Sequence, residues 1–194
     1  MANLKLKTPS GGSLNLVSAD GASDLTATFP AKTGTVMVTG NMPAFSAYLS
    51  ASQTLSNGVT TVVENNLKTF DTNGAYNNTS SAVTLNGLSV PAWAFMPPVA
   101  GYYMVTMATN GPGSGTGQIS VNLFKTGSAY QQGNAIPNAS FGANATGSFV
   151  IYLNGTTDYI TMCAQQSSGA SAAIYGSSSG IQYTYFNACM IRSA

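Results

Sequence analysis

Short runs of β-branched and aromatic residues recur along this chain, and most of them end at a glycine, proline or asparagine. Residues 118–125 alternate apolar and polar side chains with the period of two of a half-buried strand. Residues 101–107 and 149–153 are further strand signals, and the second ends at the turn pair Asn154-Gly155. No segment shows the apolar spacing of a long amphipathic helix. The pattern predicts an all-β chain, folded as a sandwich or a closed barrel.

Titratable side chains are scarce in this chain. Its 194 residues include no histidine, two cysteines, five Asp or Glu and six Lys or Arg, with a net charge of +1. Because enzymes build acid–base, nucleophilic and metal chemistry from these residues, we expect a non-enzymatic protein without a cofactor. The small net charge and the lack of a membrane-length apolar run argue against binding nucleic acid and against membrane insertion. A weakly charged surface also favours a permanent oligomer.

The carboxylates of residues 44–194 bear on two alternatives, a glycan-cleaving enzyme and a calcium site. Glycoside hydrolysis needs two carboxylates flanking the sugar bond, and this region has only Glu64, Asp71 and Asp158. Asp71 and Asp158 are the candidate calcium ligands, but calcium takes six or more oxygens. We therefore expect neither activity nor metal, and we expect Asp158 to fix its turn through backbone amides.

The chain divides by composition into an attachment arm, residues 1–43, and a head, residues 44–194. The arm is too short and too poor in apolar residues to hold a core, so it must pack on its own head, a sister chain or a scaffold. It carries Lys5, Lys7 and Lys32, which either dock on an acidic scaffold or keep an edge strand soluble. Its first residues lack the apolar segment of a secretory signal, so we expect none.

Five segments of the head, in order, resemble the trimeric jelly-roll domain shared by complement-type globular heads, adiponectin and tumour necrosis factor. They are Ala44-Phe45-Ser46-Ala47, Phe70-Asp71-Thr72 with Tyr76-Asn77, residues 95–103, residues 153–162 with two extra residues between Gly155 and Asp158, and residues 185–191 with Asn187 where glycine is usual. The resemblance implies a homotrimer of jelly-roll β-sandwiches. The candidates for the core or the trimer contact are Phe45, Phe70, Tyr76, Phe95, Gly101, Tyr102, Tyr159 and Phe186.

Two elements of the arm resemble the leader of tailed-phage virion appendage proteins. They are Thr8-Pro9-Ser10-Gly11-Gly12-Ser13 and Pro30-Ala31-Lys32-Thr33-Gly34-Thr35. This resemblance implies a fibre or appendage on the outer surface of a virion, whose arm contacts other virion proteins and whose head binds a host glycan or protein. A capsid decoration protein is the alternative, favoured by the short chain without a shaft. A soluble complement-like binding module is disfavoured by the expected lack of a signal peptide.

Four local features have competing interpretations. Cys163 and Cys189 lie in apolar strand-like runs without a CxxC pair, which predicts two buried thiols, with a disulfide as the alternative. Residues 130–134 combine tyrosine with amides, as carbohydrate contacts do, but we expect Tyr130 merely to cover a loop. Trp93 is expected in the core. Residues 167–180 read as two flexible turns around a short strand, or as a loop displayed to a ligand.

Overall fold

The structure, a computed structural model, describes residues 4–7, 9–16, 40, 42–111, 116–137 and 143–194. The chain forms two compact units, Met1–Gly34 and Thr35–Ala194. The division into an arm of residues 1–43 and a head of residues 44–194 stays a prediction, because most of residues 17–41 lie outside the described residues. Lys32 and the second leader element lie there too.

The first unit contains an antiparallel hairpin of β1, Leu4–Lys7, and β2, Ser13–Leu16. Leu4 pairs with Leu16 and Lys7 with Ser13, so residues 9–12 of the first leader element lie in the turn between the two strands.

The second unit contains fourteen strands among its described residues and no helix. They are β3 (Ala44–Tyr48), β4 (Gln53–Leu55), β5 (Thr61–Val62), β6 (Leu67–Asp71), β7 (Val83–Leu85), β8 (Leu88–Val90), β9 (Ala94–Phe95), β10 (Gly101–Gly111), β11 (Gln118–Lys125), β12 (Ser128–Pro137), β13 (Ala143–Leu153), β14 (Ile160–Gln166), β15 (Ala172–Ile174) and β16 (Tyr185–Ser193). The all-β prediction is confirmed. A helix long and apolar enough to span a membrane is not found in the part of the chain that the structure describes.

Two antiparallel sheets enclose the core. The first sheet has the order β13-β10-β16-β3-β6, and the second has the order β12-β11-β14-β5, with β9 also pairing to β14. Strand alternation points Tyr103, Val105 and Met107 of β10 into the core, where Ile119, Val121 and Leu123 of β11 are buried as well. The alternation read from residues 118–125 is confirmed, since the alternate positions Ile119, Val121 and Leu123 are fully buried.

An aromatic cluster fills the core. The Phe45 ring stacks on Tyr76 and Phe95, with ring centroids 4.6 and 4.4 Å away, and meets Phe186 edge-on at 5.0 Å. The Tyr76 hydroxyl donates to the Asn65 carbonyl, 3.0 Å away, so its polar end is satisfied. Burial raises the pKa of Tyr76 above its usual value because the phenolate would lose its solvation.

Two local predictions are wrong, one of them in part. Tyr130, expected to cover a loop, itself belongs to strand β12, and this edge strand is exposed on both faces, so its sequence carries no apolar alternation. The prediction of two buried free thiols is confirmed for Cys163 and wrong for Cys189, which is free but exposed. Trp93 is half-buried at a turn with φ of 57° rather than in the core.

The region 167–180 does contain its predicted short strand. β15 pairs with β4, placing Ala172 opposite Leu55 and Ile174 opposite Gln53. The turn before it is not loose, because the buried Gln166 side chain donates to the carbonyls of Leu55 and Ala170.

Candidate functional site

The outward side of the first sheet carries a group of large apolar side chains. On β10, Tyr102 and Met104 point away from the core because their neighbours Tyr103 and Val105 point into it. We call the following set the apolar face: Phe70, Tyr102, Met104, Val150 and Tyr152.

The strand register makes the apolar face continuous. On β13, Tyr152 lies opposite Tyr102 and Val150 lies opposite Met104. On the other side of β10, Cys189 of β16 lies opposite Met104. The apolar side chains are each between 39% and 51% exposed. Single exposed apolar residues are ordinary, whereas a contiguous group marks a contact surface.

A depression of about 220 Å³ opens on this face. Phe70, Met104 and Cys189 line it, together with Thr106 of β10. Polar contact is therefore available beside the apolar contact, as in the mixed composition of ordinary protein interfaces.

Cationic side chains flank the two tyrosines of the apolar face. The Tyr102 and Tyr152 rings lie 5.5 Å apart, with the Arg192 guanidinium 6.0 Å over the Tyr102 ring. The Lys125 ammonium lies 5.9 Å over the Tyr152 ring and bonds the Asp158 carboxylate at 2.9 Å. These contacts hold both tyrosines in place at the surface.

The structure places six of the eight core or trimer candidates in two environments. Phe45, Tyr76, Phe95 and Phe186 form the buried aromatic cluster, whereas Phe70 and Tyr102 lie on the apolar face. The remaining two are placed elsewhere: Gly101 is buried at the start of β10, and Tyr159 is half-buried against a small second core of Val90, Ala94 and Met96.

Sequence reasoning missed three members of the apolar face, Met104, Val150 and Tyr152. A signal for them existed in the two strand runs, Tyr-Tyr-Met-Val and Phe-Val-Ile-Tyr-Leu, which are apolar at successive positions. Such a run is typical of a strand covered on both sides, because a half-buried strand alternates with polar residues.

The candidate calcium ligands are engaged in separate structural roles. The Asp71 carboxylate bonds the Lys68 ammonium at 3.2 Å and accepts from the backbone amides of Ala75 and Tyr76. The Asp158 carboxylate bonds Lys125 and accepts from the Asn154 amide, fixing the turn as expected. Within the described residues, no three His, Cys, Asp or Glu side chains come together as metal ligands would.

The scaffold-attachment candidates belong to the first unit. Lys7 is exposed at the end of β1. Lys5 lies on the same strand, but its side chain and all of Lys32 fall outside the described part of the chain. Their proposed contact with a scaffold stays a prediction.

No protein-family model matches the sequence, and no curated protein matches it. Among solved structures, the globular domain of a zebrafish complement 1qA protein resembles it with a TM-score of 0.55 and 18% identity, covering 78% of this chain and 99% of that chain. Eiger TNF from S. frugiperda resembles it with a TM-score of 0.52 and 10% identity, covering 79% of this chain and 93% of that one.

A vertex protein of PRD1 has a TM-score of 0.47 and 17% identity, covering 77% of this chain and 72% of that chain, a likeness that carries no argument about function. The two stronger likenesses show the fold alone. The second unit is a jelly-roll sandwich like the complement 1qA and TNF globular domains.

Proposed function

We propose that this chain is a non-enzymatic structural and adhesive protein on the outer surface of a phage virion. Three copies of the head associate through the apolar face, the arm contacts other virion proteins, and the heads are displayed for binding to a host surface. The two leader-like elements of the arm support the virion assignment, and the jelly-roll head supports a binding or covering role.

The apolar face is the observation that carries the proposal. Its five side chains would remain half in water on a single chain, and their burial against another copy removes that cost. The net charge of +1 leaves little repulsion between copies. A second copy of the chain is thus a suitable partner for this surface.

The number three comes from the resemblance of the head to trimeric complement-type and tumour necrosis factor domains. A threefold ring requires the apolar face of one copy to meet a different surface of the next, whereas a twofold dimer would pair the face with itself. The oligomer mass therefore distinguishes the two arrangements.

The environments of the carboxylates support a role without catalysis. Asp71 is held by Lys68 and two backbone amides, and Asp158 is held by Lys125 and one backbone amide. Glycoside hydrolysis requires two carboxylates that flank the sugar bond, whereas each of these carboxylates is engaged in an ion pair with a lysine. Incubation of the protein with host polysaccharide tests this point, and release of oligosaccharide would overturn it.

Cryo-electron microscopy of the virus particle from the source of the gene tests the virion assignment. We expect jelly-roll density on the outer surface, with each head next to two others. Density on a tail or fibre would support the role of an adhesive appendage. Density at the junctions between capsomers would instead support the role of a capsid decoration protein. A particle without this protein contradicts the proposal.

A further inference from the structure

The outward face of the second sheet, on the far side of the sandwich from the apolar face, carries two neighbouring depressions. The wider one has a volume of about 340 Å³ and the narrower one about 200 Å³. The wider depression alone falls within the range of small-molecule sites, about 300–1,000 Å³.

The strand register joins the two depressions. Asn122 of the narrower one lies opposite Cys163 of the wider one in the β11–β14 pair. On the other side of β11, Asn122 lies opposite Gln132. One row of side chains therefore crosses the sheet from one depression to the other, and we call the two together the groove.

The groove combines aromatic rings with amides. Tyr130, 48% exposed, and Gln132 line the narrower depression, and the Phe124 and Tyr159 rings line the wider one. Within the described residues, the side chains of Tyr130 and Gln132 form no hydrogen bond. Their donors and acceptors are therefore available to a ligand.

The groove is uncharged along its described lining, since no Asp, Glu, Lys or Arg takes part in either depression. The nearest charges along β11 are those of Lys125 and Asp158, which neutralise each other in an ion pair of 2.9 Å. An anionic ligand would find no countercharge here, and a purely apolar ligand would leave the amides unpaired.

One wall of the groove is fixed before any ligand binds. The buried Asn77 side chain donates to the carbonyls of Val90 and Pro91, at 3.1 and 2.9 Å, and Pro91 lines the wider depression. The floor is equally rigid, because Thr161 and Cys163 belong to the central strand β14 and are buried. Such preorganisation lowers the entropic cost of binding.

We infer that the groove binds a neutral oligosaccharide. Sugar rings present C–H faces that stack on aromatic rings, and pairs of hydroxyls that match the donor and acceptor of a side-chain amide. The inference rests on the proposed adhesive function and names its ligand class. The groove and the apolar face belong to opposite sheets, so the two surfaces do not overlap on one copy.

An oligosaccharide array tests the inference with the full chain. The array holds neutral oligosaccharides of glucose, galactose, mannose and N-acetylglucosamine, and matched oligosaccharides with uronic or sialic acids. We expect neutral oligosaccharides to bind, with an affinity nearly independent of salt because no charge is involved. Binding restricted to the acidic members, or no binding at all, would overturn the inference.

Calorimetry with the best neutral oligosaccharide locates the site. Tyr130→Ala should weaken its affinity about tenfold, as expected for an aromatic anchor. Tyr175→Ala is the matched control, since Tyr175 is 41% exposed and lies outside the groove, and it should bind like the unchanged protein. Equal affinity of Tyr130→Ala and Tyr175→Ala would refute the site. It would leave the virion assignment unaffected, because that assignment is tested separately by cryo-electron microscopy of the particle.

Discussion

Replacing Asn77 with alanine should be among the most destabilising polar substitutions in the head. Asn77 is only 1% exposed, and its amide nitrogen donates to the carbonyls of Ser81, Val90 and Pro91 at 2.7, 3.1 and 2.9 Å. Its amide oxygen accepts from the backbone and the hydroxyl of Thr79. One side chain therefore satisfies polar groups of two separate segments, residues 79–81 and residues 90–91.

The magnitude follows from what the substitution leaves unpaired. The bond to Val90 is buried, so losing it costs the full desolvation penalty of about 1–3 kcal/mol. The other bonds are partly buried, and water replaces them at a smaller cost of about 0.5 kcal/mol each. We expect Asn77→Ala to lower the free energy of unfolding by about 3–5 kcal/mol.

Asn78→Ala is the matched control, because the neighbouring amide donates a single bond, to the Asn66 carbonyl at 3.0 Å. It should cost about 1 kcal/mol. Urea unfolding of both variants at one protein concentration measures the difference, since association makes stability depend on concentration. Equal losses for Asn77→Ala and Asn78→Ala would refute the reasoning from hydrogen-bond satisfaction.

Three further predictions concern thiols, pH and backbone packing. Cys189 lies beside the apolar face, so a thiol reagent should modify it only after the copies separate. Cys163 is buried and should react only when the chain unfolds. Prompt labelling of Cys189 in the assembled protein would contradict this prediction. Burial raises the pKa of Cys163 from 9.0 to about 11 and that of Tyr76 above 10.0. The folded state therefore favours the neutral forms, so its stability should be full below about pH 9 and should fall above it. Urea titrations at about pH 8 and about pH 10.5 should show a lower unfolding midpoint at the higher pH. A Cβ on Gly101 would lie 2.5 Å from the Arg192 carbonyl, so Gly101→Ala should cost about 1–3 kcal/mol, and a thermal midpoint like that of the unchanged protein would argue against the close approach.

The strands with regular patterns were predictable from the sequence. The alternation of residues 118–125 specified which side of β11 faces the core, because the side-chain period of a strand is fixed at two. The pair Asn86-Gly87 joins β7 to β8 with φ of 52° and 76°, the left-handed values that such a pair tolerates.

The surfaces were harder to predict, because they depend on pairing between distant segments. β12 has no apolar period, and only its pairing with β11 makes it a strand. The groove arises where Asn122 of β11 meets Gln132 and Cys163, a register that no local pattern specifies. The need for glycine at position 101 also depends on a distant contact, because the neighbouring backbone of β16 excludes a side chain there.

The native mass tests the central claim most directly. At micromolar concentration, sedimentation equilibrium should give three copies of the 19.8 kDa chain, and Val150→Arg should reduce the mass to one copy by placing a charge on the apolar face. Ile181→Arg should remain at three copies, because Ile181 is 56% exposed but lies outside the apolar face. A single chain of 19.8 kDa for the unchanged protein across the micromolar range would contradict the account.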